Sequence, residues 1–429
     1  MPIRDLILIG IIIISLPVSF LRPWIGILLW TWVGYFNPHR FSWGIAYDLP
    51  VAQIIAIAVI GGLFFSKERY PLPKTREIYI LLGLWGIFFL STLFAAYPDV
   101  AWTKLAGVSK ILLITFIILI LFQDTKKLNL LLMVTALSIG FFGLKGGIFA
   151  VMTGGKHMVL GPPRSAISGN TEIGLALIML LPIFLLLWRM ETRNWLRLLL
   201  LATFGFSIVA IVSTYSRGAM IGLATVISIL IWRSRHKFLL LFLLPIAVYL
   251  LLTGLPEQWF ARMGTIQTYE QDTSAMGRIV AWKLSYRLAL DRPILGFGFS
   301  CFTEETYHQY MHEYQYRAAK VADAHNIFFQ VLAEHGYSGL ILFAGLIFST
   351  VLSLRAISRK ANGDASLKYY YDFAQMLEVS FVGYLVSGLF LSRSYFDLFY
   401  QLVAMAIILK QLFTYAIRIQ PEFESQEDL

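Results

Sequence analysis

Residues 170–214 have the sequence NTEIGLALIMLLPIFLLLWRMETRNWLRLLLLATFGFSIVAIVST. Two runs rich in Leu, Ile, Ala and Phe, at 170–188 and 196–214, flank a short connection, and Arg189, Arg193 and Arg197 lie in it or at its edge. A membrane-spanning α-helix needs about 20 mostly apolar residues, and both runs meet that length. This stretch therefore predicts two spanning helices joined by a short basic loop.

The same pattern continues along most of the chain. Of its 429 residues, 58% are hydrophobic and 14% are charged, whereas a soluble domain is about half apolar and a quarter charged. This composition excludes a soluble enzyme, a disordered chain and a disulfide scaffold, and it predicts an all-α polytopic membrane protein with about 12 transmembrane helices. Two shorter apolar blocks within residues 5–36 form either two spans or one broken element. The other predicted spans lie at 49–66, 78–95, 105–122, 128–152, 170–188, 196–214, 218–232, 237–253, 336–354, 376–391 and 398–416.

Residues 254–335 interrupt the pattern because they are polar, aromatic and mixed in charge. We therefore predict three parts: N-terminal transmembrane helices at 1–253, a large helical loop carrying much of the active site at 254–335, and C-terminal transmembrane helices with a short tail at 336–429. Lysine and arginine concentrate on alternate short loops, which the positive-inside rule places in the cytoplasm. The loop at 254–335 then lies on the outer face. The first apolar run lacks a small-residue cleavage site, which indicates an uncleaved anchor.

The net charge of +10 is explained by these basic loops, so we expect no nucleic-acid partner. Cys301 is the single cysteine, which excludes an intramolecular disulfide. The spacing of His308, His312, His325 and His335 matches no metal signature, and no metal site is predicted.

Arg217 lies in a very short connection between two predicted spans, residues 213–218, STYSRG. An arginine at the outer end of a helix pair is costly unless an anion pairs with it. Its planar guanidinium matches phosphate oxygens, so we predict a phosphate clamp with Tyr215 beside it. The alternative is an arginine that extends its charged end to the membrane interface.

Residues 278–287, RIVAWKLSYR, predict a helix on the outer membrane surface. Arg278 and Trp282 share one face at i, i+4, as do Lys283 and Arg287. Arg278 and Arg287 are the candidate ligand-binding residues of this helix, and the alternative is an amphipathic helix whose basic residues face lipid headgroups. The following residues 291–298, DRPILGFG, predict a tight turn where the backbone approaches a ligand.

His325 lies in residues 323–330, DAHNIFFQ. We predict that Asp323 caps the following helix and that His325 stands in its first turn. Histidine is the natural general base near neutral pH, and an acceptor hydroxyl needs one. The alternative is a histidine that makes an ordinary hydrogen bond. Residues 334–339, EHGYSG, predict a turn or a point of close packing.

Lys145 falls inside an apolar run, in residues 143–149, GLKGGIF. A lysine within a membrane span indicates function by default, so we predict that Lys145 binds the donor diphosphate. The alternative is a lysine that reaches the nearby outer interface. The sequence shows no nucleotide-phosphate loop or dinucleotide fingerprint, so no cofactor is expected and an outward-facing site must use a preactivated, lipid-linked donor.

Together these pieces resemble the bacterial O-antigen ligase and polymerase superfamily. The matching pieces, in chain order, are Ser216-Arg217-Gly218, Arg278 with Trp282, the glycines of the 291–298 turn, and His325-Asn326 with Glu334, Gly336 and Gly339. Residues 145–149, 153–155 and 159–163 resemble a subgroup of O-glycosylation ligases associated with the exosortase system. That subgroup commonly has an acidic residue before the asparagine that corresponds to Asn170, where this chain has Gly169. The resemblance covers about residues 70–415.

The resemblance implies a glycosyltransferase in the bacterial inner membrane that transfers a glycan from undecaprenyl diphosphate at the periplasmic face. The acceptor would be a hydroxyl of a lipid A core sugar or of a protein Ser or Thr, and the transfer would be inverting and metal-independent. Arg217 and Arg278 would hold the donor diphosphate, and His325 would activate the acceptor. Besides the donor and the acceptor, membrane lipids are expected partners.

Two alternatives remain open. A polymerase that extends a lipid-linked glycan must bind a donor diphosphate in the same way. A transporter of lipid-linked glycans belongs to another class and would show paired broken helices near the middle of the membrane and an inverted repeat.

Overall fold

A computed structural model describes residues 3–264, 273–312 and 322–427. The first half contains α1 (Ile3–Leu21), α2 (Pro23–Phe36), α3 (Val51–Phe65), α4 (Arg76–Leu93), α5 (Pro98–Leu121), α6 (Thr125–Met152), α7 (Asn170–Met190) and α8 (Asn194–Val212). The second half contains α9 (Arg217–Trp232), α10 (Lys237–Thr253), α11 (Glu257–Gly264), α12 (Thr273–Asp291), α13 (Glu304–Tyr310), α14 (Ile327–Ala361), α15 (Lys368–Gly388) and α16 (Asp397–Glu427). Two short 3₁₀ helices, at Pro38–Phe41 and Ile45–Asp48, join α2 to α3. Among the described residues there is no strand, as predicted.

Each predicted span coincides with a helix, and the chain is a polytopic membrane protein. Eight described helices are long and apolar enough to cross a membrane: α1, α4, α5, α6, α7, α8, α14 and α16. The number rises to nine if α10 and α11, which meet at 112°, form one broken span. The helices α3 and α9 are apolar but shorter. The larger total of about 12 therefore stays a prediction.

The helix α7 lies at the centre of the bundle. Almost every side chain from Ile173 to Leu187 is buried, and α7 packs against α6, α8, α9 and α15. A helix that is apolar on all sides is typical of the interior of a membrane bundle. This central position holds the first turn of α7 in a fixed place relative to its neighbours.

The start of α14 differs from the prediction in two respects. The N-cap is Asn326, whose side-chain oxygen accepts hydrogen bonds from the amides of Phe328 and Phe329. The predicted cap, Asp323, is therefore wrong, and His325 precedes the helix instead of lying in its first turn. The helix also begins nine residues before the predicted span at 336–354 and bends at Gly336, which has a φ of 65°.

The predicted outer loop contains α11, α12 and α13. The helix α12 includes the whole of the predicted helix 278–287. Residues 265–272 and 313–321 of this loop, including Arg317, lie outside the described residues. The division at 253 and 335 stays a prediction.

Candidate active site

The first residues of α7, α9 and α14 meet at one end of the bundle, and we call this place the junction. The side-chain amide of Asn170, the first residue of α7, donates to the Thr214 carbonyl just before α9. At the start of α14, the side-chain amide of Asn326 donates to the Leu389 carbonyl, and Phe390 packs directly against Gly218. Helix N-termini carry partial positive charge and unpaired amides. The junction therefore favours an anion.

Arg217 is the first residue of α9, where its charge opposes the helix dipole. The turn before it is closely held: Tyr215 has a φ of 58°, and its hydroxyl donates to the Gly155 carbonyl at 2.6 Å. The Tyr215 carbonyl accepts from Arg262. Tyr215 thus fixes the turn that presents Arg217, and burial raises the pKa of its phenol.

The helix α12 brings Arg278 to the His325 segment. The indole nitrogen of Trp282 donates to the Ala324 carbonyl at 2.8 Å, and its ring stacks on Phe329 at 5.5 Å between centroids. Arg278 lies one turn earlier on the same face of α12. The structure therefore brings Arg278 and His325 together.

His325 occupies a strained and electrostatically tuned position. Its φ is 45°, in the left-handed region that side chains other than glycine rarely adopt, and its amide donates to the Ser392 hydroxyl at 2.7 Å. Burial, and next the Arg278 charge, lower the pKa of His325, while the charges of Asp323 and Glu172 oppose that shift. A neutral imidazole can accept a proton, which suits a general base.

The loop at 389–396 holds several parts of the junction, and the sequence analysis did not assign it a role. Besides the contact of Ser392, the Ser394 hydroxyl donates to the Ile327 carbonyl, and Arg393 pairs with Glu172 at 2.8 Å. The signal that could have found this loop is Arg393 itself, a charged residue in a short loop between apolar runs.

The carboxylate of Glu172 lies against Gly169 at the start of α7. A Cβ added at Gly169 would lie 2.1 Å from the Glu172 carboxylate. The acid from 172 therefore occupies the space in which an acidic side chain at 169 would begin. Its charge acts on His325, so an acidic group is present beside the candidate base.

A second set of contacts lies behind Glu334. Ser91 and Tyr395 flank the ring of His335, at 2.6 Å from Nδ1 and 2.7 Å from Nε2, and the Tyr395 hydroxyl donates to Glu334. Nε2 of His335 and the Tyr395 hydroxyl thus share a hydrogen bond next to the one between Tyr395 and Glu334. This buried chain joins α4, α14 and the 389–396 loop.

The glycines of the turn at 291–298 pack against the backbone of α14. A Cβ at Gly296 would lie 2.5 Å from the Gly336 amide, and the Gly298 amide donates to the Glu334 carbonyl. The two glycines thus allow the turn to pack against the bend of α14, which confirms the close packing predicted at 334–339. The approach of this turn to a ligand stays a prediction.

Arg287 lies on the face of α12 opposite to Arg278, because nine residues correspond to two and a half helical turns. Its guanidinium donates to the Tyr310 carbonyl, next to α13. The structure thus separates Arg287 from the Arg278 face.

Lys145 lies in the wall of a small cavity. That cavity measures about 280 Å³ and is lined by Lys145, Arg40, Phe142, Phe149 and residues 158–163. A separate apolar groove of about 550 Å³ lies between α2, α6 and α8, with Phe141 and Leu144 in its wall. The segment 158–163 also contacts the end of α8, through Val159 and Ser213. This segment therefore links the Lys145 cavity to the end of α8 that precedes the Arg217 turn.

Within the described ranges, no group of three or more His, Cys, Asp and Glu side chains is placed to hold a metal ion.

Comparison with known families adds two matches. Residues 202–344 match the model of the O-antigen ligase family, and this range contains Arg217, Arg278 and His325. Residues 3–192 match a family of unknown function (DUF5935). No curated protein matches the chain. The first match supports a membrane enzyme of the O-antigen ligase superfamily, similar to its ligases and polymerases.

Proposed function

We propose that the chain is a glycan ligase that transfers a glycan from undecaprenyl diphosphate to an acceptor hydroxyl at the junction. The observation that carries this proposal is the placement of Arg278 beside a partly buried His325 whose pKa is lowered. Arg217 and three helix N-termini lie at the same end of the bundle. A site for an anion thus adjoins a candidate base.

The chemistry follows from these two properties. As the bond between the anomeric carbon and the diphosphate oxygen breaks, negative charge grows on the diphosphate. Guanidinium groups and helix N-termini placed beforehand stabilise that charge more in the transition state than in the ground state. His325 accepts the proton of the acceptor hydroxyl, whose oxygen attacks the opposite face of the anomeric carbon, and the configuration inverts.

The groove beside Lys145 is our candidate for the polyprenyl tail. Its apolar walls suit isoprene units, and Lys145 and Arg40, in the smaller cavity next along α6, suit a phosphate. We propose that Lys145 contacts the donor in this cavity, with the tail in the groove.

The basic loops support an orientation in the bacterial inner membrane with the junction in the periplasm. Arg189 and Arg233 lie at the ends of α7 and α9 that are remote from the junction. The positive-inside rule places that end in the cytoplasm. The resemblance to ligases associated with the exosortase system favours a protein Ser or Thr, or a lipid A core sugar, as the acceptor.

A transfer assay on the purified chain tests the proposal. Synthetic undecaprenyl-diphosphate glycan is offered separately with lipid A core, a candidate acceptor protein and a second lipid-linked glycan. Product on the core or the protein supports the ligase, and growth of the glycan on its lipid carrier identifies a polymerase. Donor binding without any product contradicts both enzymes and favours a transporter. Turnover lost in excess EDTA and restored by a divalent ion contradicts metal independence.

A further inference from the structure

A basic cavity lies at the end of the bundle remote from the junction. It measures about 420 Å³ and is enclosed by the ends of α4, α14 and α16. Its walls are formed by Arg76, Ser353, Ala356, Ile357, Lys360, Lys410, Phe413, Thr414, Ile417 and Arg418. Lys360 lies in the last turn of α14, whose first turn is at the junction. The cavity and the candidate active site are therefore two separate places.

Positive charge exceeds negative charge in this cavity. Four cations line it, and the described contacts place one carboxylate, that of Glu77, beside two of them, Arg76 and Lys410; Glu77 is 1% exposed. Lys410 lies 3.1 Å from both Glu77 oxygens, and Arg76 lies 3.4 Å from one of them. The hydroxyls of Ser349 and Ser353 also donate to Glu77. Glu77 thus fixes the floor of the cavity, and Lys360 and Arg418 add charge at its exposed rim.

The remaining wall is apolar. Ile357, Phe413 and Ile417 face the same cavity as the cations. A free phosphate or diphosphate ion gains nothing from such a wall, whereas a phospholipid presents a phosphate and acyl chains side by side. Basic pockets between transmembrane helices on the cytoplasmic side are typical sites for anionic lipid headgroups.

We propose that this cavity binds the headgroup phosphate of an anionic phospholipid from the cytoplasmic leaflet. Lys360, Arg418 and Arg76 contact the phosphate, and the first part of an acyl chain lies along Ile357, Phe413 and Ile417. The site is independent of the transfer reaction proposed at the junction, since no residue is shared between them.

Native mass spectrometry of the purified full chain tests this site. The protein is titrated with phosphatidylglycerol, phosphatidylcholine and inorganic pyrophosphate. We expect phosphatidylglycerol to bind and phosphatidylcholine to bind much more weakly. The double variant Lys360→Gln with Arg418→Gln leaves the Glu77–Lys410 pair intact. It should bind phosphatidylglycerol about 30-fold more weakly, because each cation near a membrane surface contributes about a factor of five.

The matched control is the double variant Arg235→Gln with Lys237→Gln, which removes the same charge just before α10 and at its first residue. It should bind phosphatidylglycerol as the unchanged protein does, and both double variants should unfold at the same temperature. An equal loss in the control would overturn the proposal, since the attraction would then belong to the whole basic surface. Three other results would also overturn it. They are equal binding of the two lipids, no binding of phosphatidylglycerol, and full displacement of phosphatidylglycerol by pyrophosphate.

Discussion

The guanidinium of Arg393 lies 2.8 Å from the carboxylate of Glu172, and this pair joins the loop that holds His325 to the first turn of α7. The two side chains are 31% and 20% exposed. Partly exposed pairs of this kind contribute little to stability, about 0–1 kcal/mol. The importance of the pair is therefore its position, because Glu172 acts electrostatically on His325.

Removing the negative charge of Glu172 and removing the positive charge of Arg278 should shift the pH dependence of transfer in opposite directions. A base must be neutral, so turnover falls as pH drops through the pKa of His325, which lies below the usual value of about 6.5. Glu172→Gln removes a charge that raises this pKa, so the acidic limb of the pH profile, where turnover falls, should move to lower pH. Arg278→Gln removes a charge that lowers it, so the limb should move to higher pH. The measurement is turnover against pH, scaled to the plateau of each variant.

A matched control for these two variants is Arg235→Gln, which lies in the connection before α10 and should leave the profile unchanged. Shifts of the same sign in Glu172→Gln and Arg278→Gln would contradict the assignment of His325 as the base.

Three arginine variants should distinguish arginines that bind the donor from an arginine that only contacts the protein. Arg217→Gln and Arg278→Gln should each reduce turnover about 100- to 1000-fold, the usual effect of losing one preorganised donor to developing charge. Arg287→Gln should lose much less, because Arg287 lies on the other face of α12 and contacts the Tyr310 carbonyl. Single-turnover rates and donor affinity are measured for each variant.

The histidine variant His325→Ala completes this series. It should abolish turnover and leave donor affinity nearly unchanged. Loss of donor affinity in this variant would make His325 a phosphate ligand, and a loss in Arg287→Gln equal to that in Arg278→Gln would place both arginines on the donor.

The chain of hydrogen bonds through His335 should contribute to stability and not to turnover. Tyr395→Phe removes the hydroxyl that joins His335, which is 0% exposed, to Glu334, which is 3% exposed. Leaving buried polar groups without a partner costs about 1–3 kcal/mol. We expect a lower unfolding temperature in detergent, whereas Tyr415→Phe, at a tyrosine that is 65% exposed, should have no effect. An unchanged unfolding temperature in Tyr395→Phe would show that the chain is not a stabilising element.

The sequence predicts the helices well because they depend on a local pattern, the long apolar runs that mark α7 and α8. The roles of Arg217, Arg278 and His325 stay predictions. Contacts between distant residues leave no such pattern: Arg393 and Glu172 are 221 positions apart. The cap of α14 illustrates a second limit. Asp323 and Asn326 are both good caps, and the choice depends on tertiary contacts, since Asn326 is also held by the Leu389 carbonyl.

The bend of α14 should depend on one glycine. Gly336 has a φ of 65° and a ψ of −166°, a region open essentially to glycine alone, and a Cβ there would lie 2.5 Å from the Pro293 carbonyl oxygen. Gly336→Ala should therefore destabilise the protein by more than the backbone cost of about 1–3 kcal/mol. Gly345→Ala is the matched control on the same helix, because a Cβ at Gly345 meets nothing within 4 Å. Thermal unfolding in detergent measures both. If the two variants unfolded at the same temperature, the turn at 291–298 could not be held against α14 through Gly336, and the buried chain behind Glu334 would need another support.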